Sequence, residues 1–159
     1  MTRLEIGSPA PDFVLPGVVR DGEGFARRDF ALSAERGHPV VVVFYPGDGT
    51  PVCTDQLCSY QEGLAQFAAV GASVLAISRQ GLDSHERFAR NEDLRFPLLA
   101  DERGEVASAY GVAAPGIGVR RSVFVVDAEG VLRWKHVALL GATFRSVAEI
   151  RGHLEALAA

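Results

Sequence analysis

The chain has 159 residues, of which 48% are hydrophobic and 23% charged, and its formal net charge is −4. These values suit one compact domain over residues 1–159, with a single core and an ordinary soluble surface. The mildly acidic balance gives no reason to expect a nucleic acid or an anionic membrane as a partner.

The first 38 residues are rich in prolines and glycines and contain two short apolar pieces. This pattern predicts a small N-terminal hairpin around residues 13–15 and Phe25. No secretory signal is evident at residues 1–5, and the longest apolar run, residues 40–45, is too short to cross a bilayer. We therefore expect a cytoplasmic protein whose two cysteines are catalytic or metal-binding rather than structural.

The core begins at residues 40–45, a β-branched run without alternation that predicts a strand buried on both faces. Apolar residues then recur at helical spacing: Leu57, Tyr60, Leu64 and Phe67. They predict one helix that ends at Gly71, followed by a strand over residues 74–77. Together these elements form a βαβ unit.

The second half of the chain predicts a helix over residues 83–91, with Asp83 and Glu86 as a capping pair. Strands over residues 122–126 and 131–137 follow, joined by a hairpin turn.

The last predicted helix opens with a capping box at residues 146–149 and buries Val147, Ile150 and Leu154. This order of elements predicts a thioredoxin-like α/β fold, in which helices flank a central mixed sheet. Ligands of open α/β sheets bind beyond the carboxyl ends of the strands, which points to residues 46–53.

A candidate reactive thiol lies in that segment. Thr50 is a favoured N-cap and Pro51 a favoured first helical residue, so Cys53 falls in the first helical turn. Unpaired N–H groups and the positive end of the helix dipole favour a thiolate there. The N-cap geometry predicts that the Thr50 hydroxyl points to the Cys53 backbone N–H.

The pattern Pro-x-x-x-Thr-x-x-Cys after an apolar strand resembles the active-site signature of the peroxiredoxins. Residues 44–58 are similar to the peroxiredoxin Q branch, also called bacterioferritin comigratory protein. Further segments resemble the family in the same order: 10–13, 96–101, 109–112 and 121–124. The resemblance covers nearly the whole chain, with one departure, Val123 in the place of an expected threonine.

The resemblance implies a thiol peroxidase that reduces hydroperoxides. Cys53 would be the peroxidatic cysteine that peroxide oxidises to sulfenic acid, and Cys58 the resolving cysteine that condenses with it to a disulfide. Thr50 and Arg121 would hold the peroxide and the thiolate, and Pro46 would shield the site. It further implies thioredoxin as the reductant and a monomer. We expect no cofactor and no metal.

Three other functions compete with this interpretation. A dithiol oxidoreductase favours Cys-x-x-Cys, whereas four residues separate Cys53 from Cys58. A copper or zinc module would need both cysteines and a histidine, and a peroxide sensor without multiple turnover would share the same thiol. The scattered histidines are interpreted as surface residues: His38, His85, His136 and His153. Residues 116–118 lack the remainder of a phosphate-loop pattern and are interpreted as a flexible approach to a strand.

Two geometric expectations follow. Alternation along the strand places Arg121 and Arg120 on opposite faces, and we expect Arg121 to face the site. An intact helix separates the Cα atoms of Cys53 and Cys58 by roughly 8–9 Å, beyond the roughly 7 Å that a disulfide allows. Either the helix unwinds locally around Cys58, or it never spans both cysteines, or the disulfide forms between two chains.

Overall fold

A computed structural model describes residues 4–114, 118–138 and 144–157. Within these ranges the strands are β1 Val14–Asp21, β2 Gly24–Ala31, β3 Val40–Phe44, β4 Ser73–Ser78, β5 Leu98–Ala100, β6 Ala113–Ala114, β7 Gly118–Val119, β8 Ser122–Val126 and β9 Leu132–Val137. The α-helices are α1 Pro51–Glu62, α2 Leu64–Ala69, α3 Leu82–Glu92, α4 Glu105–Ala109 and α5 Val147–Leu157, and a 3₁₀ helix covers Leu32–Glu35. None of the described helices is long and apolar enough to cross a membrane.

Seven strands form one mixed sheet in the order β2-β1-β5-β4-β3-β8-β9. The pairs β3–β4 and β4–β5 are parallel, and the other pairs are antiparallel. The predicted βαβ unit and the central mixed sheet are therefore confirmed. The carboxyl ends of β3 and β4 lie side by side, at the edge where the sequence places the site.

The burial of strand β3 on both faces explains why polar and apolar residues do not alternate along it. All five of its residues are buried, and successive side chains enter two different apolar clusters. Val41 and Val43 belong to the cluster that contains Cys53, whereas Val42 and Phe44 belong to the cluster on the other face of the sheet. A strand covered on both faces needs apolar residues at every position.

The predicted N-terminal hairpin is confirmed and is larger than expected. Strands β1 and β2 pair along eight residues each, and Gly17 and Val18 of β1 also pair with β5. The hairpin thus extends the central sheet at one edge. The second hairpin is also confirmed, since β8 and β9 are joined by a turn in which Asp127 accepts the N–H groups of Glu129 and Val131 at 2.9 Å each.

The single helix predicted up to Gly71 is wrong, because the structure has two helices that meet at Gly63. A Cβ atom at Gly63 would lie 2.6 Å from Cγ1 of Val147, the first residue of α5. The close approach of α5 therefore requires a glycine at the point where α1 ends. Helical periodicity does not record this contact, because it comes from a residue 84 positions away.

The capping pair predicted for the third helix is also wrong. Helix α3 begins at Leu82, Gly81 occupies the N-cap, and no side chain caps it. Asp83 and Glu86 instead bind Arg27 of the hairpin, with closest distances of 2.7 and 3.4 Å. The cation that binds these carboxylates belongs to β2, so the local sequence around α3 does not reveal it.

The start of the last helix agrees with the prediction. The Ser146 hydroxyl oxygen accepts the Glu149 N–H at 3.2 Å, as a capping residue does. Ile150 and Leu154 are buried and Val147 is partly buried. Of the segment interpreted as a flexible approach, Gly118 begins β7 and residues 116–117 lie outside the described residues.

Candidate active site

The first turn of α1 holds the thiol that the sequence singles out. Thr50 is the N-cap with extended backbone, and Pro51 opens the helix. Cys53 occupies the third helical position and its exposed fraction is 0%. Its side chain packs in the same apolar cluster as Leu57 and Val123, the residue at the position of the expected threonine.

The hydroxyl of Thr50 points elsewhere than predicted. It donates to the Gly47 carbonyl at 3.2 Å, and no side chain caps α1 at Thr50. The predicted bond to the Cys53 N–H is therefore wrong, because the hydroxyl closes the turn before the helix instead. The Thr50 side chain therefore does not use the N–H donors of the first turn.

A buried guanidinium lies beside the thiol. Arg121 Nη2 donates to Cys53 Sγ at 3.2 Å, and Arg121 has an exposed fraction of only 4%. Arg120, one residue earlier, is exposed, so the alternation expected for the two arginines holds. A buried cation in contact with sulfur compensates the negative charge of a thiolate.

Gln56 orients this guanidinium, and the sequence did not single it out. Its side-chain oxygen accepts a short hydrogen bond from Arg121 Nη1, and its nitrogen donates to the Tyr60 hydroxyl at 3.3 Å. Gln56 is fully buried and lies three residues after Cys53, so both side chains share one face of α1. That spacing, a polar residue on a buried stripe, is the signal that could have identified it.

The loop before α1 is fixed by a buried carboxylate. Asp48 accepts hydrogen bonds from the Tyr45 hydroxyl at 2.6 Å and the Ser84 hydroxyl at 2.8 Å, and its Oδ2 lies 2.7 Å from His85 Nδ1. Burial alone would raise the pKa of Asp48. Hydrogen bonding and charge from His85, with the two hydroxyl bonds, outweigh burial and hold that pKa below its ordinary value.

His85 is not a surface residue, which corrects the interpretation from the sequence. Its exposed fraction is 0%, and its Nε2 lies 3.0 Å from the Leu99 carbonyl. A carbonyl only accepts, so Nε2 donates to it. On its other side the ring forms a buried hydrogen-bonded pair with the Asp48 carboxylate. The sequence could not reveal it, because the partners come from the β3–α1 loop and from α3.

A second tether joins the loop to the end of β4. The Asp48 N–H donates to the side-chain oxygen of Gln80 at 3.2 Å, and the Gln80 nitrogen donates to the Pro46 carbonyl at 3.4 Å. The same Gln80 oxygen accepts the Ser78 hydroxyl. Pro46 itself is half-buried and lies two residues after the end of β3. Both tethers act on residues 46–48, so the sheet and α3 set the position of the turn that leads to Cys53.

The second cysteine has surroundings of opposite charge. Cys58 is half-buried, and its Sγ donates to Glu92 Oε2 at 3.4 Å. Burial, the hydrogen bond to Glu92 and the charges of Glu92, Glu62 and Asp55 raise the pKa of the Cys58 thiol to about 11. At neutral pH this sulfur is a protonated thiol.

Both cysteines are free and lie on the one continuous helix α1. The alternative that the helix never spans both is therefore wrong for this state. Among the residues that the structure describes, no group of three or more His, Cys, Asp or Glu side chains is placed to hold a metal ion.

Known proteins resemble this chain over most of its length. The model of the AhpC/TSA family matches residues 6–135. The chloroplastic peroxiredoxin Q of Oryza sativa subsp. japonica is 40% identical over 134 residues, which make up 83% of this chain and 58% of the rice protein. A protein of Coxiella burnetii named as a peroxiredoxin bcp is 33% identical over 160 residues, 95% of this chain and 99% of that protein.

Solved structures resemble it as well. Mycobacterium bovis AhpC matches with a TM-score of 0.87 at 25% identity, covering 100% of this chain and 95% of that one. Enterococcus faecalis AhpC matches with a TM-score of 0.85 at 25% identity, covering 99% and 93%. These neighbours confirm the predicted thioredoxin-like fold. The chain spans less than two thirds of the rice relative's length and nearly all of the Coxiella relative's.

Proposed function

We propose that this chain, which belongs to the AhpC/TSA family, is a thiol peroxidase that reduces hydroperoxides at Cys53. The observation that carries the proposal is the contact of 3.2 Å between Arg121 Nη2 and Cys53 Sγ, both buried. A thiolate held by a guanidinium at the start of a helix is the nucleophile that such a reaction needs.

In the first step the Cys53 thiolate attacks one oxygen of the hydroperoxide. A sulfur–oxygen bond forms, the O–O bond breaks, and the departing alkoxide or hydroxide takes up a proton. Cys53 is oxidised to sulfenic acid, and the peroxide is reduced to an alcohol or water.

Ionisation alone is too small a contribution to explain fast catalysis. An ordinary thiol is already a few per cent ionised at neutral pH, so complete ionisation raises the reactive fraction only about thirtyfold, or roughly 2 kcal/mol. Further acceleration requires positioning and donors at the breaking O–O bond. We assign this role to Arg121, to the first-turn N–H groups of α1 and to the Thr50 hydroxyl, with Pro46 as the shield above the thiol.

In the second step we propose that the Cys58 thiol condenses with the sulfenic acid, releasing water and leaving an intrachain disulfide. Because α1 holds the two sulfurs apart, this step requires local unwinding around Cys58. A dithiol reductant of the thioredoxin type then restores both thiols. We further propose a monomer in the cytoplasm, where the surroundings keep thiols reduced.

The test is NADPH consumption coupled through thioredoxin and thioredoxin reductase, with hydrogen peroxide and an organic hydroperoxide as substrates. We expect many turnovers per chain with at least one of them. A single equivalent of peroxide consumed, with no further turnover when reductant is supplied, would instead assign the chain as a peroxide sensor. Metal bound stoichiometrically after purification, without peroxide consumption, would favour the metal-binding alternative.

A further inference from the structure

The carboxylate that contacts Cys58 comes from the end of another helix. Glu92 is the last residue of α3, is half-buried, and accepts the Cys58 thiol at 3.4 Å. Among the residues that the structure describes, no cation lies within ion-pair distance of Glu92. The hydrogen bond and the charge of Glu92 both act on the thiol and raise its pKa.

Two further carboxylates flank the thiol along its own helix. Asp55 and Glu62 precede and follow Cys58 by three and four residues, the spacing of neighbours on one helix face. Both add to the effect of burial and of Glu92 in raising the pKa of Cys58 to about 11. On the α3 side, Arg87 lines the same cleft as Glu92. Glu92 differs from Asp55 and Glu62 because it also accepts the thiol's hydrogen bond.

A cleft of about 390 Å³ adjoins this contact. It is lined by Asp48, Gly49, Thr54, Ser84, Arg87, Phe88, Asn91 and Glu92. Thr54 lies on α1 one turn before Cys58, so the cleft separates this part of α1 from α3. The bond between Cys58 and Glu92 therefore ties together two helices whose facing surfaces are not closely packed there.

We propose that Glu92 is a positioning residue that retains Cys58 on the folded helix α1 and so delays the resolving step. This inference rests on the proposed peroxidase function. In that step the S–S bond forms, the S–O bond of the sulfenic acid breaks, and water leaves with the proton of the Cys58 thiol. The oxidising equivalent is the sulfenic acid that peroxide has already generated. Cys58 must leave Glu92 before it can reach Cys53.

The delay has a chemical consequence. While the sulfenic acid waits, a second peroxide can oxidise it to sulfinic acid, which a thiol reductant does not restore. The strength of the Glu92 contact would then set the peroxide concentration at which the protein inactivates itself.

The test is a rapid-mixing experiment on Glu92→Gln, which keeps the size of the side chain and removes its charge. Quenched samples are analysed by mass spectrometry for sulfenic acid, disulfide and sulfinic acid on Cys53. We expect the disulfide to form at least threefold faster than in the wild type, with less sulfinic acid at a given peroxide concentration. Glu92→Ala, which also removes the acceptor, should change both in the same direction.

The matched control is Glu62→Gln, which removes an exposed carboxylate near Cys58 that makes no hydrogen bond to it. It should stay within about twofold of the wild type. Unchanged or slower disulfide formation in Glu92→Gln would overturn the proposal, the slower result because Glu92 would then act as a base. Equal acceleration in both variants would also overturn it, because the negative charge around Cys58, and not the specific contact with Glu92, would then control the rate of disulfide formation.

A pH profile separates this role from a merely structural one. In a Cys53→Ser background, the alkylation rate of Cys58 should rise with a midpoint near pH 11, and Glu92→Gln should lower that midpoint. A midpoint that does not move contradicts the proposal. If the wild type consumes no peroxide at all, the peroxidase assignment fails, and the alkylation profile still reports on the Glu92 contact separately.

Discussion

The surroundings of Cys53 and Cys58 differ although the two residues are five positions apart on one helix. Cys53 is fully buried beside the guanidinium of Arg121, whereas Cys58 is half-buried beside the carboxylate of Glu92. Five residues rotate a helix by about 500°, so the second thiol points about 140° away from the first. One helix can therefore present one sulfur to a cation and the other to an anion.

This contrast shows how similar groups acquire different chemistry. A nearby cation favours the charged form of a thiol, and a nearby carboxylate favours the neutral form. Arg121, directly before β8, and Glu92, at the end of α3, supply the two partners, so the fold and not the local sequence gives each sulfur its charged neighbour. The following predictions test that division.

The largest effect on peroxide reduction should come from replacing each cysteine by serine. Cys53→Ser should abolish peroxide reduction, because the nucleophile is lost. Cys58→Ser should still consume about one equivalent of peroxide per chain and then stop until a small thiol is added, since sulfenic acid needs a thiol to condense with. Peroxide assays and mass spectrometry check both. Equal, unchanged turnover in the two variants would remove the distinction.

The next effect concerns the cation. Arg121→Ala removes the charge-assisted donor at Cys53 and should cost about 2–4 kcal/mol of transition-state stabilisation, which would slow peroxide reduction by well over tenfold. Arg120→Ala, which changes an exposed neighbour, should stay near the wild-type rate. Stopped-flow measurements of both variants over the same series of peroxide concentrations would distinguish the two arginines. A larger effect at Arg120 would contradict the assignment of Arg121 as the arginine that faces Cys53.

A smaller effect should appear in stability and its dependence on pH. Asp48→Asn breaks the buried pair with His85 and should lower the free energy of unfolding by about 1–3 kcal/mol. Because the pKa of Asp48 is lowered in the folded state, its contribution is complete above about pH 4 and is lost as pH falls through that lower value. Urea unfolding of the variant should therefore show a flatter loss of stability in acid.

The control for this experiment is Asp29→Asn, the same substitution at an exposed position of β2. Its stability should differ from the wild type by less than about 0.5 kcal/mol. If the two variants unfold alike at every pH, the Asp48–His85 pair contributes nothing measurable to stability.

The smallest effect should follow from loosening the guanidinium. Gln56→Leu removes the acceptor that orients Arg121 and should slow peroxide reduction about fivefold, near 1 kcal/mol. Gln66→Leu, on the exposed face of α2, is the matched substitution and should have no effect. A rate unchanged in Gln56→Leu would mean that other contacts of Arg121 suffice to hold it.

The sequence predicts those features that depend on neighbours along the chain. The unbroken apolar run of β3 predicts its burial on both faces, and Thr50-Pro51 predicts where α1 begins and hence that Cys53 lies in its first turn. Alternation predicts that Arg121 and Arg120 face opposite sides.

Features that depend on partners distant along the chain could not be predicted from the sequence. The interpretation of His85 as a surface residue fails because its carboxylate partner lies 37 positions away. The capping role expected of Asp83 fails because a cation of the hairpin, Arg27, competes for the carboxylate. In each case a contact between remote elements overrides a local preference.

The glycine between α1 and α2 limits how far unwinding can spread. Helix formation is cooperative along an uninterrupted segment, so melting that begins near Cys58 can propagate only to the next boundary of that segment. Gly63 places this boundary one turn beyond Cys58, and Val147 holds it by close contact. Helix α2, with Phe67 in the core, is then a separate cooperative unit. Hydrogen exchange should rise at the end of α1 on oxidation while the amides of α2 keep their protection, so the redox cycle would repeatedly melt about one turn and spare the core.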